Sequence, residues 1–181
     1  MAGIPVNRAL LIGLGGQGQN ALVATKKKML EAYKGKLPPT VKFLCIDSAP
    51  LDNGNYEYLK NDYQSIAVPA AAQFIDDHRD TLKTWLDYEN LPHNTLVNVA
   101  RGAGQIPMIG RFLLLFHLRK ILGLIDARLR QIGDPEAMRN GEWRPGDTQP
   151  RVIFFGSMAG GTGAGTILDE DAVARDQAAE G

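Results

Sequence analysis

The chain has 181 residues, enough for one domain with a sizeable core, and its 20 basic and 20 acidic residues balance to no net charge. That balance leaves no electrostatic footprint for nucleic acid or an anionic membrane surface. The single cysteine, Cys45, excludes an internal disulfide and a cysteine-built metal site, and fits a reducing, cytoplasmic compartment.

The opening apolar run, MAGIPVNRALLIGLGG, is too short for a secretory signal. Within it Arg8–Leu14 reads as a buried strand that ends in glycines. Asn20–Tyr33 reads as a helix, with Leu22, Met29, Leu30 and Tyr33 on one face and Lys26–Lys28 on the solvated side. Val41–Asp47 is a second strand, ending in an acid. Strand, glycine turn, helix and strand make one right-handed βαβ unit. Pro50–Val68 is polar and reads as loop, and Pro69–Tyr88 as a proline-led helix. Asn94–Ala100 is a third strand, followed by one long, well-buried helix over Pro107–Gly133. His117, Arg119 and Lys120 interrupt its greasiest stretch, which excludes a membrane span. Asp134–Pro150 reads as a connector and Arg151–Gly156 as a fourth strand. The alternation predicts an α/β fold: a Rossmann-like parallel sheet with helices on both faces. Residues 1–168 form the expected domain, and 169–181 a polar tail.

Glycine-rich turns follow the first, third and fourth strands, and a parallel sheet gathers such ends on one ligand-binding edge. The first turn, GLGGQGQN, contains G-x-G-x-x-G at Gly13, Gly15 and Gly18. Its backbone N–H groups beside a helix N-terminus can bind an anion. A tight strand-to-helix turn explains the same residues. So does an NAD(P)- or ATP-binding Rossmann enzyme with Asp47 as its ribose acid, or an adenylating enzyme of the ubiquitin-activating kind. The second turn, RGAGQIPMIGR, is either a loop with an N-cap or a second phosphate clamp through the N–H groups of Ala103, Gly104 and Gln105. The third, GSMAGGTGAGT, surrounds Thr162 with Gly160, Gly161, Gly163 and Gly165, and its hydroxyl can add a donor to the backbone array. No G-K-[ST] follows, so this is not a Walker A loop. Three such turns exceed what a dinucleotide needs and suit a nucleoside triphosphate.

Four ordered segments carry a resemblance to the tubulin/FtsZ superfamily of filament-forming GTPases. GGTGAGT is similar to the family's glycine signature, with Ala159 at its first glycine. IGLGGQGQNAL resembles the first FtsZ loop through its terminal Asn20, and GAGQIPMIGR the third, from Gly102. FLCIDSA matches the second strand and loop, with Asp47 and Ser48 where FtsZ carries Asn and Thr. The long 50–94 and 134–150 segments look like a larger, divergent bacterial tubulin-like family. The resemblance implies GTP or GDP on this edge. Gly15, Gly16, Gln17 and Gly18 would hold the α- and β-phosphates, and Gly160–Gly163 the β- and γ-phosphates. Ala103, Gly104 and Gln105 would sense the γ-phosphate, with Asp47 and Ser48 near the nucleotide and its Mg2+.

In the family a base-reading segment, a central helix and a second domain that completes hydrolysis follow the signature. The expectation is therefore an incomplete domain whose own GTPase activity is open, or a truncated, non-catalytic partner of a full-length homologue. Self-association into filaments is the expected assembly. The remaining chemistry is bland. Asp76, Asp77 and His78 are adjacent and do not converge on a helix. Asp169, Glu170 and Asp171 suit a solvated helix face as well as a position near magnesium. His117 suits a core position, His93 a loop, Cys45 an inert strand, and Trp85 and Trp143 packing, while Ser157 lacks a nucleophile's partners.

Overall fold

A computed structural model describes residues 3–68, 106–134, 141–147 and 149–167, with the single positions Gln73, Asp76, Asp77, Asp80, Lys83, Ala103 and Met138. The elements in chain order are β1 (Ile4–Val6), β2 (Ala9–Leu14), α1 (Gly15–Ala32), β3 (Val41–Asp47), α2 (Tyr56–Leu59) and β4 (Tyr63–Ser65). Then come α3 (Pro107–Phe116), α4 (Leu118–Gly133), β5 (Trp143–Pro145), β6 (Arg151–Phe155) and a last helix, α5, over 161–167.

The main sheet runs β4-β3-β2-β6, and every pair in it is parallel. In β2 and β3, alternate residues serve opposite faces, as the two-residue period of a strand requires. Leu10, Ile12, Leu14, Leu44 and Ile46 share one buried cluster with Ile109, Phe112 and Leu113 of α3 and Ile121 and Ile125 of α4. Leu11, Phe43 and Cys45 share the other with Leu22 and Val23 of α1 and Leu59 of α2. The sheet is thus sandwiched between α1 and the α3–α4 pair. The chain leaves β2 for β3 through α1 and returns to β6 on the other side, so the sheet order reverses at β2. Such a reversal opens a crevice outside the strands' carboxyl ends.

Four sequence expectations change. α1 begins at Gly15, well before Asn20, because Gly15 takes φ +69 to turn directly from strand into helix. Lys26 is not on a solvated side: its Nζ bonds Asp62 Oδ2 and the Tyr58 carbonyl, each at 2.7 Å, with the side chain 14% exposed. The predicted 107–133 helix breaks at His117, whose φ of −100° and ψ of 8° leave the helical region. Its ring Nε2 lies 3.3 Å from the Ala67 carbonyl. The segments read as loop and connector hold short elements, α2 and β4 in the first and β5 in the second. β5 pairs in parallel with β1, and Trp143 is buried edge-on against Tyr33 at 5.1 Å between ring centroids.

The predicted strand Asn94–Ala100 lies outside the described residues, as do Trp85, His78, His93 and the tail 169–181. Of the Pro69–Tyr88 helix, the described Gln73, Asp76, Asp77 and Asp80 are helical.

Candidate functional site

β2, β3 and β6 end side by side, and the turns that leave them enclose a cleft of about 590 Å³. Gly15, Gly16, Gln17 and Asn20 border it from the start of α1, Asp47 and Ser48 from the end of β3, and Ala103 from the segment before α3. Ala159, Gly160, Gly161, Thr162 and Gly163 border it from the turn into α5. Twelve of the residues singled out in the sequence therefore meet around one space. Gly18 does not border it. A Cβ there would stand 2.6 Å from the Gly13 carbonyl carbon and 2.6 Å from the Phe155 carbonyl oxygen, so Gly18 lets α1 lie on β2 and β6. Gly102, Gly104 and Gln105 lie outside the described residues.

The cleft's donors are mainly backbone. Leu14, the N-cap of α1, gives no side-chain cap, and no acidic residue occupies the first turn. The first N–H groups of an 18-residue helix, with the positive end of its dipole, are therefore open to the cleft. A Cβ on Gly16 would meet no atom within 4 Å, and one on Gly160 only the Ser157 carbonyl at 3.8 Å. Both positions leave space that a branched side chain would occupy. Among the described residues no Lys, Arg or His lines the cleft, whereas Asp47 and Asp52 do.

Beneath the cleft a polar web joins four segments. Asp47, 3% exposed, accepts from Gln19 Nε2 on Oδ2 at 2.7 Å, and from the Ala49 N–H at 3.1 Å and Thr162 Oγ1 at 3.4 Å on Oδ1. Ser48 Oγ accepts from the Ala103 N–H at 2.8 Å and lies 2.8 Å from Thr162 Oγ1. An N–H can only donate, so Ala103 gives its proton to Ser48, while between the Ser48 and Thr162 hydroxyls either can be the donor. The Thr162 hydroxyl is thus engaged within the web, between Ser48 Oγ and Asp47 Oδ1. Thr166 Oγ1 in turn donates to the Thr162 carbonyl at 2.8 Å.

Glycines tighten the remaining joints. A Cβ on Gly110 would fall 2.1 Å from the Gly161 carbonyl oxygen, and one on Gly165 2.0 Å from that of Pro107. α3 and the 160–166 segment therefore touch backbone to backbone.

Sequence reasoning missed Gln19, Asp52, Asn55 and Ser157, which also line the cleft. Gln19 is the important omission: it is buried, and its amide holds Asp47 while its Oε1 accepts from the Asp52 N–H at 3.4 Å. Its position one helical turn beyond Gly15, opposite the acid that ends the next strand, was the available signal. Asn55 Nδ2 donates to Asn20 Oδ1 at 3.0 Å and closes the cleft's outer wall. Tyr63 OH donates to the Ala49 carbonyl and, at 3.5 Å, to that of Asp47. Burial first, then the Asp47 charge, pushes the phenol up to about 12. Cys45 is buried beneath the web, and burial raises its thiol far above the ordinary range, so it is no nucleophile.

A family model described as tubulin like matches residues 10–180, which takes in every segment of the cleft. No curated protein matches the chain.

Proposed function

The chain belongs to the tubulin-like family, and from that premise we propose that its cleft binds the phosphates of a guanine nucleotide, GTP or GDP. The observation that carries the reading is the meeting of the α1 N-terminus, the Asp47–Ser48 corner, Ala103 and the Ala159–Gly163 turn around one cleft at the sheet's order reversal. Backbone N–H groups and a helix dipole suit phosphate oxygens, and glycines admit them closely. The expected assignments are Gly15, Gly16 and Gln17 toward the α- and β-phosphates, and Gly160–Gly163 toward the terminal ones. Ala103, with Gly104 and Gln105, would face the γ-phosphate.

Mg2+ fits the same site. Among the described residues the cleft's charged lining is Asp47 and Asp52, which do not neutralise a polyphosphate. A divalent cation carried on the phosphates supplies that charge, and needs only one or two protein carboxylates beside its waters. Asp52 is the exposed carboxylate of the pair, with Oδ1 accepting from the Gly54 N–H at 2.7 Å. Asp47 has both oxygens engaged and holds the cleft's floor.

A dinucleotide site is less favoured. Its ribose acid must be open to the sugar, and Asp47 is bound by Gln19, Ala49 and Thr162. Head-to-tail self-association into a cytoplasmic filament completes the reading, as a heterologous contact that does not close.

Equilibrium titration in Mg2+ tests the binding. The expected result is saturable binding of GTP and GDP, weakened when EDTA removes the metal, and lost in Gly160→Val. Binding of NAD or ATP in preference to both guanine nucleotides would overturn it.

A further inference from the structure

The bond from the Ala103 N–H gives Ser48 a task that phosphate contact alone does not. Ala103 is 4% exposed, and its N–H is given to Ser48 Oγ at 2.8 Å. A buried N–H left without an acceptor costs far more than an exchanged one. Ala103 also borders the cleft, so the same N–H lies within reach of whatever occupies it.

We propose that Ser48 is a positioning residue that acts as a stand-in acceptor: it holds the Ala103 N–H while no terminal phosphate is present and yields it when one arrives. The inference rests on the nucleotide reading above and extends it to the choice between tri- and diphosphate. A phosphate oxygen is a charged acceptor and forms the stronger bond with that N–H. Ser48 Oγ then keeps its hydrogen bond with Thr162 Oγ1, so the exchange strands no buried group. The segment that the N–H leads into is coupled to the opposite wall, because α3 meets the 160–166 backbone at the Gly110–Gly161 and Gly165–Pro107 contacts. A shift of Ala103 from Ser48 to phosphate is therefore felt on both sides of the cleft.

The sign of the effect is unusual. Removing the Ser48 hydroxyl penalises the states in which it is needed, the empty and diphosphate-bound ones, and spares the triphosphate-bound state. Ser48→Ala should raise the preference for a non-hydrolysable GTP analogue over GDP roughly tenfold, the typical effect of one buried N–H losing its acceptor. Ser48→Thr, which keeps the oxygen, should restore the wild-type ratio. A Ser48 that merely shapes the site would weaken both ligands together and leave the ratio alone.

The test is parallel titration of wild type, Ser48→Ala and Ser48→Thr with GDP and the analogue in Mg2+. A raised ratio in Ser48→Ala that Ser48→Thr reverses supports the inference. An unchanged or lowered ratio overturns it while leaving the nucleotide reading intact. A wild type that binds neither ligand removes the reading and the inference with it. Should Ser48→Ala fail to fold, the amide resonance of Ala103 in the wild type decides. It should stay in place with GDP and move with the analogue, and movement with GDP alone would contradict the proposal.

Discussion

Two glycines two positions apart do opposite work at the start of α1. Gly18 is pressed between the Gly13 and Phe155 backbones, whereas Gly16 faces open space. Gly18→Ala should cost about 1–3 kcal/mol of stability, the usual effect of forcing a methyl into a filled interior, read by urea denaturation. Gly16→Val should leave that midpoint nearly unchanged and abolish nucleotide binding. Equal loss of stability in both would contradict the division. Tyr63 supplies a second test, through pH. Its phenol stands at about 12 in the folded chain against 10.0 ordinarily. The fold favours the protonated form, so this contribution is complete below pH 10 and is lost as pH rises toward 12. Stability of the wild type should fall across that window, and Tyr63→Phe should make the slope shallower in an alkaline denaturation series, the rest coming from groups such as the buried Cys45 thiol, which is also pushed up.

At the scale of elements, the joint between α1 and the 56–65 segment rests on Lys26. Its ammonium bonds Asp62 and the Tyr58 carbonyl and lies 4.9 Å from the centre of the Phe43 ring, while Arg128 Nη2 reaches Asp62 at 3.8 Å. Lys26→Met keeps the apolar stem and removes the charge. The expected cost is about 2 kcal/mol, as for a partly buried charged hydrogen bond, measured by urea denaturation, and a change below about 0.5 kcal/mol would show the pair to be idle. This joint was illegible in the sequence, where three consecutive lysines read as a solvated face. Only the tertiary position of Asp62 distinguishes Lys26 from its neighbours. The break at His117 was hidden for a similar reason, since apolar residues recur at helical spacing on both sides of it and the Ala67 carbonyl that meets the ring is remote in sequence. β1 and β5 are three residues each, too short for a two-residue period to show. By contrast β2, β3 and β6 announced themselves as apolar runs ending in glycine or an acid, and their edge predicted where the cleft would lie.

For the whole molecule, the order reversal at β2 is what turns dispersed glycines into one site. Residues as distant as Gly15, Ser48 and Thr162 border the same cleft because the parallel strands β2, β3 and β6 deliver their exits to one edge, and Ala103 borders it too. That convergence was legible in advance. The floor beneath it was not: that Gln19 holds Asp47, and that Thr162 meets both Ser48 and Asp47, depends on side-chain direction that no spacing records. The central claim is that this edge holds nucleotide phosphates, and its most direct measurement is a map of backbone amide shifts during a titration with GDP and Mg2+. The account expects changes concentrated at Gly16, Gln17 and Gly160–Gly163, with Gly35 and Gly141 unmoved. Changes confined to residues away from the cleft, or none at saturating GDP, would contradict it.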